Sequence, residues 1–301
     1  MSIRVFVLIS TIGWATSISA IEARADGKQT ASPIPALVSH DELERRLGDP
    51  KLRLLDVRPA GEYAAGHIPG AVHVDAKAAT ALGAKPGGLT NVKAWEDWVE
   101  PFAIGPDTEV LVYGGKTVTD TARIWWLLRY VGVERAGMVD GNFQLWTDKK
   151  RPTSTEIAKP TPIRFAVRFD RSRLAEKGDV LSAIESGSTH VVDARSIGEY
   201  TGEKSMSKRG GHIPSACRLE WSDLVDAQGR FLAAEVLAER AKQAGIEAGK
   251  PAITHCQSGG RASVNAFVLE RMGIPVRNYY LGWSEWGNAE ASPIVEGKSP
   301  K

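Results

Sequence analysis

Cysteine is scarce in this chain: two residues in 301, enough for one disulfide at most. Charge of one sign is also nearly absent, since 38 Lys and Arg stand against 36 Asp and Glu for a net +2. That balance is too small for a nucleic-acid footprint and indicates no polyanionic partner. Long hydrophobic runs are missing too. The apolar stretch from Val5 to about Ile18 falls short of the roughly 20 residues that span a bilayer. It follows Arg4 and precedes the small-x-small sequence Ala23-Arg24-Ala25, so residues 1–25 read as an export signal cleaved after Ala25. An uncleaved N-terminal anchor is the alternative. The expected location is periplasmic, with no stable membrane insertion once the signal is removed. Without residues 1–25 the formal charge falls to +1.

What is present is a soluble globular composition, 43% hydrophobic and 25% charged, with 30 Gly and 16 Pro for turns. The length suits two ordinary domains, each able to bury its own core. The sequence also repeats itself. Leu55-Asp56-Val57-Arg58, Glu62-Tyr63 and Gly66-His67-Ile68-Pro69 recur as Val192-Asp193-Ala194-Arg195, Glu199-Tyr200 and Gly211-His212-Ile213-Pro214. Some forty residues after each copy, an apolar run enters a glycine turn. The first turn reads Val112-Tyr113-Gly114-Gly115. The second reads Thr254-His255-Cys256-Gln257-Ser258-Gly259-Gly260-Arg261. One copy alone carries a thiol there, so the chemistry is expected in the second half. Cys217 takes the slot of Val72 in the first copy, which marks it as a small buried apolar residue rather than a disulfide partner of Cys256.

Each half alternates short apolar strands with helices, which predicts a parallel sheet covered by helices on both faces. In the second copy, His190 to Ala194 and Ala252 to Thr254 are read as strands. Phe231 to Ala244 is read as a helix with Leu232, Val236, Leu237 and Ala241 on one stripe, and Ala262 to Met272 as another, with Val264, Phe267, Val268 and Met272 facing the core. In the first copy Ile124, Leu127, Leu128 and Val131 carry the same burial spacing. Residues 151–163, with Pro152, Pro160 and Pro162, lack an apolar period and read as a linker between domains at 36–150 and 164–297.

Open α/β sheets bind ligands beyond the carboxyl ends of their strands. Cys256 stands there, directly after a strand and before a helix. Gln257, Ser258, Gly259 and Gly260 are expected to form a tight loop whose amides point at one anionic centre, with Arg261 adding positive charge. Such a cradle favours thiolate over thiol.

On these residues the chain resembles tandem-domain rhodaneses, sulfurtransferases of the thiosulfate or 3-mercaptopyruvate type. Gly141 with Trp146, and Gly282-Trp283-Ser284-Glu285-Trp286, resemble the closing Gly-Trp element of that family. Cys256 to Arg261 resembles its six-residue active-site loop. The resemblance implies two rhodanese-like domains in tandem, the first without the catalytic cysteine. It implies Cys256 as the sole covalent catalyst, taking sulfur from a small anionic donor such as thiosulfate and passing it from a persulfide to cyanide or a thiol. No metal or organic cofactor is implied. Gln257, Ser258, Gly259, Gly260 and Arg261 are expected to bind the sulfur or donor, and Arg195 to bind the anionic donor, a structural salt bridge to Glu199 or a neighbour being the alternative for Arg195.

Other residues take a duller reading. Arg58, His67 and His212 belong to scaffold shared by both copies. His255 aligns with Tyr113 and is expected to point away from the sulfur. The insertion 202–210 is read as a solvated loop whose cations could steer an anionic donor. The loop fits neither the thiosulfate nor the mercaptopyruvate pattern of the family, but residues 76–96 hold no Asp or His, which favours thiosulfate. Two other classes stay open: a cysteine phosphatase or arsenate reductase, which usually places five residues rather than these four between Cys and Arg, and a non-catalytic periplasmic sulfur carrier.

Overall fold

Short runs rich in Val, Leu and Ile, each ending at a turn residue, become strands buried on both faces. The protein is described from a computed structural model over residues 36–299, so the expected export signal and its cleavage site lie outside the described residues. In chain order the first half contains β1 (Leu37–Val38), α1 (His40–Arg45), β2 (Leu52–Asp56), α2 (Ala60–Ala65), β3 (Val72–His73), α3 (Ala76–Ala84), α4 (Val92–Val99), β4 (Glu109–Tyr113), α5 (Val118–Tyr130), β5 (Ala136–Val139) and α6 (Phe143–Asp148). The second contains α7 (Lys177–Ser186), β6 (His190–Asp193), α8 (Ile197–Thr201), β7 (Cys217–Arg218), α9 (Ala234–Gln243), β8 (Ala252–His255), α10 (Gly260–Arg271), β9 (Val276–Tyr279) and α11 (Gly282–Trp286).

The two sheets run β1-β5-β4-β2-β3 and β7-β6-β8-β9, with every strand pairing parallel, and both are flanked by helices. The repeat holds at the level of single residues: Leu55 pairs with Val72 as Val192 pairs with Cys217. Even β1 has a trace in the second sheet, where Leu174 makes a single parallel bridge to Asn278. Between α6 and the turn at Arg171–Arg173 the chain has no helix or strand, only an isolated bridge from Ser154 to His67.

Helix ends follow local chemistry. Ser39 caps α1 by accepting from the Glu42 amide at 3.2 Å, and Ser196 and Glu199 form a reciprocal capping box on α8. One helix differs from its sequence reading. The helix expected from Phe231 begins at Ala234, because Phe231 bridges to Val225, its amide donates to Asp140 of the first domain at 2.9 Å, and its ring packs 5.0 Å from Phe267. Of the expected stripe, Leu237 and Ala241 are buried while Val236 is exposed.

The stripe expected on α5 is buried, but so is nearly all the rest of that helix. Ile124, Leu127 and Leu128 belong to the core beside Trp125, Trp126 and Tyr130, which meet the second domain. Trp125 packs edge-on to Phe267 of α10 at 4.9 Å, and Trp126 stacks on Tyr280 at 5.2 Å. The largest apolar core therefore runs through both halves. A buried helix between two domains loses the one-sided pattern that marks a surface helix. Because this core is shared, the two domains should melt in one calorimetric transition, and Trp125→Ala should cost about 3–5 kcal/mol. Two resolved transitions in the wild type would contradict this shared core.

Candidate active site

Both domains build the same frame at the ends of their second and third matching strands. In the first, Arg58 Nε lies 3.1 Å from each Asp56 oxygen, Nη2 donates to the Gly66 carbonyl at 2.7 Å, and the guanidinium sits 3.6 Å over Phe143. In the second, Arg195 Nε lies 2.9 and 3.0 Å from the Asp193 oxygens, Nη2 donates to the Gly211 carbonyl at 2.8 Å, and the guanidinium sits 4.2 Å over Trp283. The histidines of the Gly-His-Ile-Pro turns stack on Tyr63 at 4.0 Å and on Tyr200 at 3.7 Å. His67 and His212 thus hold their turns, each ring nitrogen Nδ1 2.8 Å from the carbonyl of that tyrosine.

Arg195 is accordingly placed differently from the expectation that it binds the donor. It is 1% exposed and makes the same bonds as Arg58, which stands in a domain with no thiol. Its carboxylate partner is Asp193; Glu199 is bonded to Arg261 instead.

The frame carries the loop. Cys256 follows β8, and its side chain packs with Ala194, Ala262 and the partly buried Trp221. Every carbonyl of the loop is held from outside. The Cys256 carbonyl accepts from the Trp283 amide at 2.8 Å, and the Gln257 carbonyl from the Ser284 amide at 2.9 Å. Arg123 donates to the Ser258 carbonyl. The Gly259 carbonyl accepts from the amide and hydroxyl of Ser263, both at 2.9 Å, and from Asn278 Nδ2 at 3.3 Å. A trans peptide sets N–H opposite C=O, so carbonyls fixed outward leave the amides facing in. The amides of Gln257, Ser258, Gly259, Gly260 and Arg261 donate to nothing among the described residues. Such a ring of donors at the start of a 12-residue helix is an anion cradle.

Glycine is required where the loop is tightest. Gly259 has φ +84°, and a Cβ there would stand 2.5 Å from the Tyr280 ring. The closing element plays the corresponding part in both domains, since the Phe143 amide donates to the Gly114 carbonyl at 3.0 Å as Trp283 does to Cys256.

Arg261 is bound to both oxygens of Glu199 at 2.6 and 2.8 Å. Burial works against its charge, but Glu199 and the adjoining Cys256 sulfur raise the guanidinium above its ordinary value. The other thiol is a different case. Cys217 donates to the Val191 carbonyl at 3.4 Å, and burial pushes it up to about 12. Both cysteines are free. No group of three or more His, Cys, Asp and Glu among the described residues is arranged to hold a metal.

Sequence reading missed three contributors. Arg123 comes from α5 of the thiol-free domain. Trp221 was visible only as an aromatic after β7. The insertion at 202–210 is more than a solvated loop: Ser207 Oγ accepts from Gln257 Nε2 at 3.2 Å and donates to the Trp283 carbonyl at 3.1 Å. Its serines and cations gave no periodic signal that would have tied them to the loop.

His255 points away from the sulfur into the frame, fully buried, with Nε2 3.6 Å from Asp193 Oδ2 and neither ring nitrogen hydrogen-bonded. In the first domain that position is Tyr113, whose hydroxyl donates to Asp56 at 2.5 Å. Burial pushes the His255 imidazole from its ordinary 6.5 down to about 4, partly opposed by Asp193. For Asp193, burial is outweighed by His255 and Arg195, which bring the carboxyl to about 2. Unfolded His255 takes up a proton below pH 6.5 that the folded state refuses until about pH 4. Stability should therefore fall by about 3 kcal/mol as pH drops across that window, with Asp193 adding to the loss only below about pH 4. His255→Tyr, which copies Tyr113, should shrink the fall by that amount in urea titrations. An unchanged pH dependence in the variant would contradict the assignment.

Comparison with known proteins agrees with this arrangement. The Rhodanese-like domain profile matches residues 39–149 and 176–289. The thiosulfate sulfurtransferase of Azotobacter vinelandii is 32% identical over 264 residues, covering 87% of this chain and 97% of that protein. The sulfur carrier protein TtuD of Thermus thermophilus is 33% identical over 277 residues, with the same coverage. The crystal structure of SseA from Escherichia coli, described among 3-mercaptopyruvate sulfotransferases, superposes with a TM-score of 0.72 at 26% identity over 83% of this chain and all of that one. With two matched domains, a thiol in one of them and full-length relatives above 30% identity, the chain belongs to the rhodanese family and is a sulfurtransferase.

Proposed function

We propose that this sulfurtransferase moves a sulfane sulfur from thiosulfate through a persulfide on Cys256 to cyanide or a thiol. The observation that carries the reading is the loop itself: outward-held carbonyls and unpartnered amides around a thiol that adjoins Arg261. The Cys256 thiolate attacks the outer sulfur of thiosulfate. The Sγ–S bond forms as the S–S bond of the donor breaks, and the electron pair leaves with sulfite. The persulfide carries its charge on the terminal sulfur, where the amides of Gln257 to Arg261 stabilise it, and their effect is larger in a site closed to water. Cyanide then attacks that sulfur, releasing thiocyanate and restoring the thiolate; a thiol acceptor leaves as its own persulfide.

Cys256 is 2% exposed, so the donor must enter beside the partly exposed Gln257, Ser258 and Arg261. Thiosulfate is favoured by relatives named for that donor and by a segment 76–96 without Asp or His. The likeness to SseA supports 3-mercaptopyruvate as the second reading, and the likeness to TtuD supports a carrier role in which the persulfide is handed on without rapid turnover.

We further propose that residues 1–25 direct export and are removed after Ala25, leaving the enzyme in the periplasm. Among the described residues no helix is long and apolar enough to cross a membrane. The mature protein from a bacterial periplasm should begin at Asp26 in intact-mass measurement, and retention of Met1 to Ala25 would contradict this.

Thiosulfate-to-cyanide transfer should be measurable in the wild type, lost by at least about 10³-fold in Cys256→Ser, and within about twofold of wild type in Cys217→Ser, a half-buried residue of β7 that has no part in the chemistry. Mass spectrometry after thiosulfate alone should show one added sulfur on Cys256. A hundredfold preference for 3-mercaptopyruvate would overturn the donor assignment, and activity surviving in Cys256→Ser would overturn the mechanism.

A further inference from the structure

Arg123 lies in the domain that has no thiol, yet its side chain ends at the active-site loop. It is 9% exposed and projects from α5 across the domain boundary. Nη1 donates to the Ser258 carbonyl and, at 3.1 Å, to the Tyr280 hydroxyl, and the guanidinium carbon stands 5.6 Å over the Tyr280 ring. Its Nη2 comes so close to Gly260 that a Cβ there would stand 2.5 Å away. Tyr280 is fixed in turn by stacking on Trp126 of the same helix and by lying against Gly259.

Two features separate Arg123 from an ordinary interdomain tie. First, no carboxylate among the described residues lies within ion-pair distance of it, and its buried Nε has no partner. A buried guanidinium without a counter-ion is costly for folding, and a well-packed apolar residue usually serves stability better. Of the other strongly buried arginines of the described chain, Arg58, Arg173 and Arg195 each have an aspartate or glutamate partner, while Arg129, which has no such ion pair either, donates to the Glu134 carbonyl of its own domain at 2.6 Å and reaches no part of the loop. Second, the group it holds is the one carbonyl of the loop that the second domain leaves without a donor. The carbonyls of Cys256, Gln257 and Gly259 are all bonded by residues 263–284.

We propose that Arg123 is a positioning residue for sulfur transfer: by holding the Ser258 carbonyl outward it aims the Gly259 N–H at the sulfur carried by Cys256. The proposal rests on the persulfide reading above and adds to it that the thiol-free domain supplies one arm of the anion site. With that arm missing, the Ser258–Gly259 peptide is free to turn, and a carbonyl oxygen facing the persulfide repels the charge that the N–H would stabilise. Arg123 does not touch the sulfur, so its loss should act on the rate of transfer rather than on donor affinity.

The test replaces Arg123 with methionine, which keeps an unbranched stem and discards charge and donors. Three quantities are compared with wild type: the melting temperature, the rate of Cys256 alkylation by iodoacetamide at pH 7, and the single-turnover rate of persulfide formation with thiosulfate. We expect melting within about 3 °C of wild type or above it, both rates lowered about tenfold or more, and a donor KM within about threefold. Rates per folded molecule equal to wild type overturn the proposal, as does a fall in melting temperature with the chemistry intact, because that is what a purely structural tie would give. If Arg123→Met does not fold, the wild type still decides: the Gly259 amide proton should move downfield in NMR spectra when Cys256 is converted to the persulfide, and an unmoved Gly259 signal overturns the proposal. A wild-type protein that takes no sulfur from thiosulfate sinks the donor assignment alone, since alkylation of Cys256 needs no donor and still tests Arg123.

Discussion

The active-site loop depends on peptide orientation. Four consecutive carbonyls, from Cys256 to Gly259, are each held from outside the loop, and this turns the four amides of the same peptides, Gln257 to Gly260, toward its interior, with the Arg261 amide following them at the helix start. An anion cradle made of main-chain groups has no side chain that specifies it, so its direction must be imposed by whatever grips the opposite ends of the peptides. The grips here are the backbone of Trp283 and Ser284, the side chains of Ser263 and Asn278, and Arg123. The glycine at 259 accepts the left-handed backbone and the close approach of Tyr280 that this arrangement requires.

The first domain serves as an internal control. It keeps the buried aspartate–arginine pair, the stacked Tyr-His turn and the amide-to-carbonyl bond from its closing element, all in the same register. These belong to the fold rather than to sulfur chemistry, and Arg195 is placed among them because Arg58 makes the same contacts. What differs is the loop. At Gly114 a Cβ would collide with Thr121, so the first domain has no room there for the side chain that Cys256 supplies in the second. Its residual contribution to the site runs through α5, the helix buried against α10.

Much of this was legible in the sequence, and the reasons for the rest are physical. The duplicated motifs announced both sheets, their shared register and the one thiol, because each motif residue has a local task that demands its type. The start of α9 was misplaced because Phe231 answers to Asp140 and Phe267, contacts more than thirty residues away in the chain. Arg195 was read as a donor-binding residue and is found paired with Asp193, a distinction spacing does not carry: a strand-end arginine looks alike whether it faces a ligand or a buried aspartate. Arg123 left no trace in the pattern of α5, since in a helix covered on all sides a polar residue reaching across to another domain is not distinguished by spacing.

The central claim concerns where the amides point once sulfur is bound. A crystal structure of the protein after treatment with thiosulfate tests it most directly. The account requires a second sulfur on Cys256 lying within about 3.5 Å of several of the amide nitrogens of Gln257 to Arg261. A terminal sulfur turned toward solvent, or a loop whose carbonyls face it, would contradict the account.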